Sequence, residues 1–380
     1  MIIFPKRMVK IMIKRNLEIT TNQFICMIVG YSIVASQLKY PAIMNSFAAQ
    51  DGWIITILSG IYPILFFYLY SVVYKEYPDK DILDINKTLL GKFIGTIFNI
   101  IFALSLLGYS IREFSGFSIL LMNTLLAYYT NSQIIFIILI ASSIATFFSF
   151  RAALKLSQLS LYLTVLLILI LGITLKDGSI LNIMPIFSIE PKDIIKSTYH
   201  GIYAYSGFEI MLLYFPYLKN KRDYKKIAIS TCLLLILIVS WLVFLAIFYF
   251  GPDTLNLFYF PLLNLTAFIN IPVVNNFIII FVTLWSIHEF KNSTLSISNL
   301  LHILPPDKDS NYKKLWLIII LPFLYFSVSS LSNISNIIFF INKILINIML
   351  LVLFNIFILF IVILRRKAYE NKKDNTFKNH

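Results

Sequence analysis

Three acids, Glu113, Glu209 and Glu289, stand inside apolar runs long enough to cross a bilayer, in the company of Arg112 and His288. A charge at membrane depth costs several kcal/mol by most scales, so such groups turn to a bundle interior or a cavity and pair there. Two chemistries are open to them. Glu209 or Glu289 binds a ligand ammonium or a coupling cation, or an acid closes an internal ion pair with Arg112 that only fixes helix packing. Arg112, Glu113, His288 and Glu289 are therefore the candidates for gating or ion coupling, with His288 either a reporter of pH or a neutral ring beside a carboxylate.

The second chemical signal is an interrupted span. Residues 199–218 read YHGIYAYSGFEIMLLYFPYL, apolar enough to span yet broken by Ser206 and Gly207, followed by Glu209 and Pro216. Gly loosens a helix and Pro removes a backbone donor. A span with these features is expected to break, its freed backbone groups facing a cavity instead of lipid. Tyr203 and Tyr205 flank the break and could cover a ligand or hold a cation on a ring face, Tyr205 being the better placed; packing and interface belts are the ordinary use of the 22 tyrosines. An earlier span, 19–44, has Gly30, Tyr31 and Ser32, then Ser36, and Pro41 near its end. Lys39, near the outer end of that span, is expected to snorkel, as is Lys343.

Other chemistry is absent from the motifs. There is no P-loop, GxSxG or HExxH pattern, and His288-Glu289 lacks a second histidine four residues on. The four histidines are scattered, and Cys26 and Cys232 lie in separate apolar spans without metal-ligand spacing. No enzyme, metal or cofactor is implied.

The elements that must position these residues are membrane helices. Of 380 residues 59% are hydrophobic and 13% charged, which leaves no room for a sizeable soluble domain. The net charge of +14 flanks the spans and forms no continuous patch, so a nucleic-acid partner is not implied. Ten spans are expected, at about 19–44, 52–74, 93–122, 132–150, 155–175, 199–218, 227–250, 273–301, 315–332 and 337–364. The first is read as a retained helix, not a signal peptide, because its run is long and no A-x-A site follows. Residues 79–92, DKDILDINKTLLGK, are expected to lie on the membrane as a short amphipathic helix, and the GxxxG spacing of Gly91 and Gly95 to let the third span approach a neighbour closely. Lys and Arg gather in the links on one side, whereas the other side carries only Lys176, Lys192 and Lys196, so both termini are expected in the cytoplasm. The spans divide into two five-span units, about 19–175 and 197–364, between a basic tail at 1–18 and a tail at 366–380. Each unit opens on a span with a small-residue interruption followed by Pro. Five is odd, so the second unit is inserted upside down, and matching breaks in inverted halves point to a midplane binding site.

Several ordered motifs make the chain similar to a known family: ITTNQF entering the first span; Pro41; Gln50, Asp51, Gly52 and Trp53 opening the second; YPDKDILDINKTLLGKFIG before the third; Arg112, Glu113 and Phe114 within it; and Tyr205 to Glu209. Over residues 19–365 the chain resembles the B subunit of GerA-type spore germinant receptors, a branch of the amino acid–polyamine–organocation transporter superfamily. The resemblance implies an all-α, ten-helix, 5+5 inverted-repeat bundle of the LeuT type. It implies a multi-pass subunit of the spore inner membrane that binds a small nutrient, often an amino acid, and works with A-type and lipoprotein C-type subunits to release ions. Carried to this chain, the site uses Gly30, Tyr31 and Ser32 and Tyr205, Ser206 and Gly207, with spans 3 and 8 as walls. The alternative is an amino acid/cation symporter using the same pocket.

Overall fold

A computed structural model describes residues 18–147, 150–269, 276–304, 310–331 and 335–378; the basic residues Lys6 to Arg15 of the expected tail lie outside the described residues. Among the described residues the regular structure is helical, apart from one isolated parallel bridge between Ile19 and Leu218.

The first half runs α1 (Thr21–Ser32), a 3-10 turn Ala35–Leu38, α2 (Tyr40–Ala48), α3 (Gly52–Ser59), α4 (Ile61–Glu76), α5 (Ile82–Thr124), α6 (Asn131–Thr146) and α7 (Phe150–Leu171). Local chemistry sets several starts. Thr20 caps α1 and Thr130 caps α6, each in a capping box with a glutamine three residues on, and Asp81 caps α5. Helix α5 is folded at Gly91, whose φ of 78° suits glycine. Its first part doubles back so closely that a Cβ on Gly95 would stand 2.6 Å from the Asn86 carbonyl oxygen. The neighbour that the GxxxG spacing admits is thus the chain's own preceding amphipathic turn, pinned there by Asn86 Nδ2 to Asn99 Oδ1 at 2.9 Å.

The second half runs α8 (Pro191–Gly201), two 3-10 turns (Ile202–Tyr205 and Phe208–Ile210), α9 (Met211–Tyr214), α10 (Tyr224–Leu255), α11 (Pro261–Ala267), α12 (Phe277–His302), α13 (Ser310–Leu331) and α14 (Ser335–Lys378). Five stretches among the described residues are long and apolar enough to cross a membrane: Tyr40–Glu76, which turns at Ala49, Ile82–Thr124, Ala152–Asp177, Lys221–Leu255 and Asn342–Glu370. The polarity of the bundle is inside out for a soluble protein. Phe93, Ile100, Leu169, Leu237, Ile318 and Phe326 stand outward and exposed, while Arg112, Glu113, Glu289, Lys291 and Asn292 are buried. Lys343 is exposed.

Contacts between links define two ends. At one, Ile19 lies beside Leu218, Lys221 reaches the Pro78 carbonyl, and Lys367 pairs with Glu76. At the other, Asp51 accepts from the backbone of Phe187 and Ile189, and Asn45 reaches the Pro252 carbonyl. The described chain begins and finishes at the first end, here termed the basic end. Helices α5 and α12 pass through the middle, packed on each other, with α1 held against α7 and α10.

Candidate functional site

Two breaks meet at the centre of the bundle. In the second half, Ser206 is extended (φ −63°, ψ 151°) and Gly207 takes a φ of 109°, which only glycine adopts readily. The expected interruption at Ser206 and Gly207 falls here. In the first half, Gly30, Tyr31 and Ser32 form the last turn of α1, and the chain unwinds one step later, at Ile33 and Val34 (ψ 118° and 166°). β-Branched residues take extended backbone easily, so this break requires no glycine. The two breaks touch: a Cβ on Gly207 would stand 3.2 Å from Ser32 Cα and 2.8 Å from the Tyr109 ring.

Breaking a helix frees carbonyls that must find donors. Each break takes them from the other half. At the first, the Ile33 carbonyl accepts from His288 Nε2 at 2.9 Å and Asn292 Nδ2 at 2.8 Å, both on α12. His288 also meets the Thr164 hydroxyl at Nδ1, 2.9 Å away, so with Nε2 donating to a carbonyl the neutral ring takes the Thr164 hydrogen. At the second break, the Tyr203 carbonyl accepts from Arg112 Nη1 at 2.9 Å, on α5, and the Ala204 carbonyl from Gln37 Nε2 at 2.6 Å. Tyr109 donates its hydroxyl to the Tyr31 carbonyl, and the two rings stack at 4.4 Å. Tyr31 reaches Ser296 at 2.9 Å.

The acids separate into two places. Glu209 stays with its own break: Oε2 accepts from the Gly207 N–H and Oε1 from the Tyr62 hydroxyl, both at 2.7 Å. Glu113 and Glu289 face each other's carboxyl groups beside the first break. Trp285 donates to Glu289 Oε1 at 2.7 Å, but among the described residues neither Glu113 oxygen nor Glu289 Oε2 has a donor. Lys291, also on α12, is buried with its ammonium against Gly30 and, among the described residues, no hydrogen-bond acceptor. In the sequence the signal for Lys291 is a lysine deep inside an apolar span, about four turns from Phe277 and three from His302.

A cavity of about 50 Å³ opens from the second break toward the end opposite the basic one. Ser36, Lys39, Arg112, Ser115, Tyr203 and Asn342 give it polar groups. Tyr203, not Tyr205, faces it. The 3-10 turn at 202–205 repeats every three residues, aligning Tyr203 with Ser206, while the Tyr205 hydroxyl is tied to the Thr56 carbonyl at 2.6 Å. Lys39 is turned inward, its ammonium 3.9 Å from the centre of the Tyr259 ring, so cation–π contact takes the place of the expected snorkelling. Tyr259 and Asn342 lie far along the chain and carried no local signal.

The basic end is closed. Ile19 and Lys219 exchange backbone bonds with Tyr217 and Ile19, each at 2.9 Å, and the Thr21 hydroxyl donates to Asp223. Phe215 packs between Phe24 and Tyr74, both with ring centres 4.8 Å away. Among the described residues no group of three or more His, Cys, Asp or Glu side chains converges as a metal site.

A family model described as spore germination protein matches residues 18–304. Spore germination protein GerQB of Bacillus cereus is 24% identical over 284 residues, covering 71% of this chain and 75% of that protein. Spore germination protein KB of Bacillus subtilis strain 168 is 24% identical over 254 residues, covering 65% and 67%. Spore germination protein A2 of the same strain is 28% identical over 211 residues, covering 54% and 57%. Among solved structures, a mutant manganese transporter of Eremococcus coleocola superposes with a TM-score of 0.57 over 87% of this chain and 75% of that one, at 12% identity. At that identity the likeness is one of fold alone: an all-α membrane transporter fold of the LeuT type.

Proposed function

This chain belongs to the spore germination protein family, and from that premise we propose that it is the B-type membrane subunit of a germinant receptor, binding a small nutrient at the two facing breaks. The observation that carries this reading is reciprocal bracing. The wall helix α5 holds the second break through Arg112, and α12 holds the first through His288 and Asn292. Such exchange between matching helices suits two inverted halves around a midplane site. With the five long apolar stretches, the interrupted α1–α2 and α8–α9 segments, α12 and the shorter apolar helices α6 and α13 bring the crossings to ten. Ser36 and Tyr203 line the ligand's position, Gly30, Tyr31 and Ser32 and Ser206 and Gly207 shape the breaks beside it, Tyr205 ties the second break to the Thr56 carbonyl, and Glu209 acts by holding Gly207. A nutrient that fits one arrangement of the breaks better than another shifts the population between them. The shift passes to A-type and lipoprotein C-type subunits. The basic end faces the cytoplasm of the spore, and the cavity faces outward across its inner membrane.

The second reading is an amino acid/cation symporter of the same fold. The unpaired cluster of Glu113, Glu289 and Lys291 beside the first break favours it, since buried ionisable groups of this kind mark ion paths. The test of the first reading is a thermal-stabilisation screen of amino acids, sugars and nucleosides on the purified chain. At least one nutrient is expected to raise the melting temperature, and Ser206→Val to abolish the rise. No stabilisation by any nutrient would sink the reading.

A further inference from the structure

We propose that Arg112 and Lys39 form the anion-reading end of the ligand site, so that the ligand is a small apolar carboxylate whose carboxyl group is essential and whose amino group is not. The inference rests on the reading of this chain as a nutrient-binding subunit. Arg112 is only 6% exposed. Its Nη1 is anchored on the Tyr203 carbonyl, while Nε and Nη2 have no hydrogen-bond partner among the described residues. Those two groups form the side-on edge of the guanidinium, two parallel N–H donors spaced to take the two oxygens of a carboxylate. A guanidinium buried with that edge unpaired is costly, and a ligand carboxylate offsets the cost. Glu113, the adjacent residue, makes no hydrogen bond to that edge; its carboxyl faces Glu289.

The cavity itself fits the same chemistry. Lys39 supplies a second cation, and among the described residues no Asp or Glu lines the space. Two like charges between low-dielectric walls make a field that favours an anion. Those walls are apolar, from Ile43, Ile111, Ile119 and Phe260, and suit an aliphatic or aromatic body. With no acid present, an ammonium on the ligand gains nothing from the lining.

The test uses the full chain in lipid nanodiscs and calorimetry with alanine, valine, leucine and phenylalanine, each beside its des-amino acid and its amino alcohol. For at least one amino acid, the des-amino acid is expected to bind within about tenfold of it, and the alcohol at least about tenfold more weakly, the size of a charge-assisted hydrogen bond. Lys39→Gln is expected to weaken the carboxylates by about tenfold or more and to spare the alcohols; Arg112→Gln, which also loses the brace on the Tyr203 carbonyl, is expected to weaken the carboxylates about tenfold more than the alcohols. Lys39→Gln sits at the half-exposed rim and keeps the test open if Arg112→Gln fails to fold. An alcohol that binds as tightly as its acid, or carboxylate binding that is indifferent to Lys39→Gln, would overturn the proposal. A sugar or nucleoside bound instead, lost with Ser206→Val but not with Lys39→Gln, would overturn it and leave the receptor reading intact. Binding of no nutrient at all would end both.

Discussion

Arg112 Nη1 donates to the Tyr203 carbonyl at 2.9 Å, from the wall helix of one half to the broken span of the other. His288 makes the reverse connection, to the Ile33 carbonyl at the same distance. Neither break can move without disturbing a wall helix of the opposite half. A small shift at the ligand is thereby coupled to α5 and α12, which run the depth of the bundle.

The glycines separate strain from space. Gly207 and Gly91 both have positive φ, but a Cβ at Gly91 meets nothing within 4 Å, whereas at Gly207 it meets the Tyr109 ring at 2.8 Å. Gly91→Ala is expected to cost about 1–3 kcal/mol, from the backbone conformation alone, since φ 78° with ψ 173° is essentially glycine's. Gly207→Ala is expected to cost about 1–3 kcal/mol more than that, from the added collision. Thermal unfolding of the two variants in one detergent measures the difference; equal losses would show that the breaks are not in contact.

The first break offers a double-mutant cycle. The Ile33 carbonyl has two donors, so Asn292→Ala alone is expected to cost about 1 kcal/mol. His288→Ala also releases Thr164 and is expected to cost about 2 kcal/mol. Both together leave a buried carbonyl unpaired, and the sum is expected to be exceeded by about 1 kcal/mol. Strict additivity would contradict shared bracing.

Glu209 is expected to act through the backbone. In Glu209→Gln the side-chain oxygen still accepts from Gly207, and folded protein is expected at wild-type yield with a weaker ligand response. Glu209→Ala strands two buried donors, Tyr62 and the Gly207 N–H, each worth about 1–3 kcal/mol. An Ala variant as stable as the Gln variant, by melting temperature, would remove Glu209 from this role.

These results bear on what the sequence makes legible. The second break is written in Ser206 and Gly207, because a φ of 109° demands glycine. The first is legible only to within a turn. Ile33 and Val34 unwind without any special residue, and the donors that hold them, His288 and Asn292, come from more than 250 positions away. The inward turn of Lys39 depends likewise on Tyr259, in a link whose packing no periodicity reveals. Membrane class and the broken span are local properties of composition; the partners of the breaks are tertiary.

Cys26 reports on the closed end. It is 2% exposed in α1, behind the Thr21–Asp223 contact and the Phe215 ring packing. In a Cys232→Ala background, Asp223→Ala or Phe215→Ala is expected to raise the maleimide labelling rate of Cys26 about tenfold, which corresponds to about 1.4 kcal/mol toward an open basic end. Unchanged labelling in both variants would mean that the closure rests on other contacts.

The central claim is that a transporter fold serves here as a sensor, and gradient-driven uptake tests it most directly. The purified chain, reconstituted in proteoliposomes, is loaded with the best-stabilising labelled nutrient, with and without a proton or sodium gradient. Saturable binding that the gradient does not convert into accumulation inside the vesicles is the expected result. Accumulation that follows the gradient and collapses with an ionophore would contradict the receptor account and make the chain a symporter.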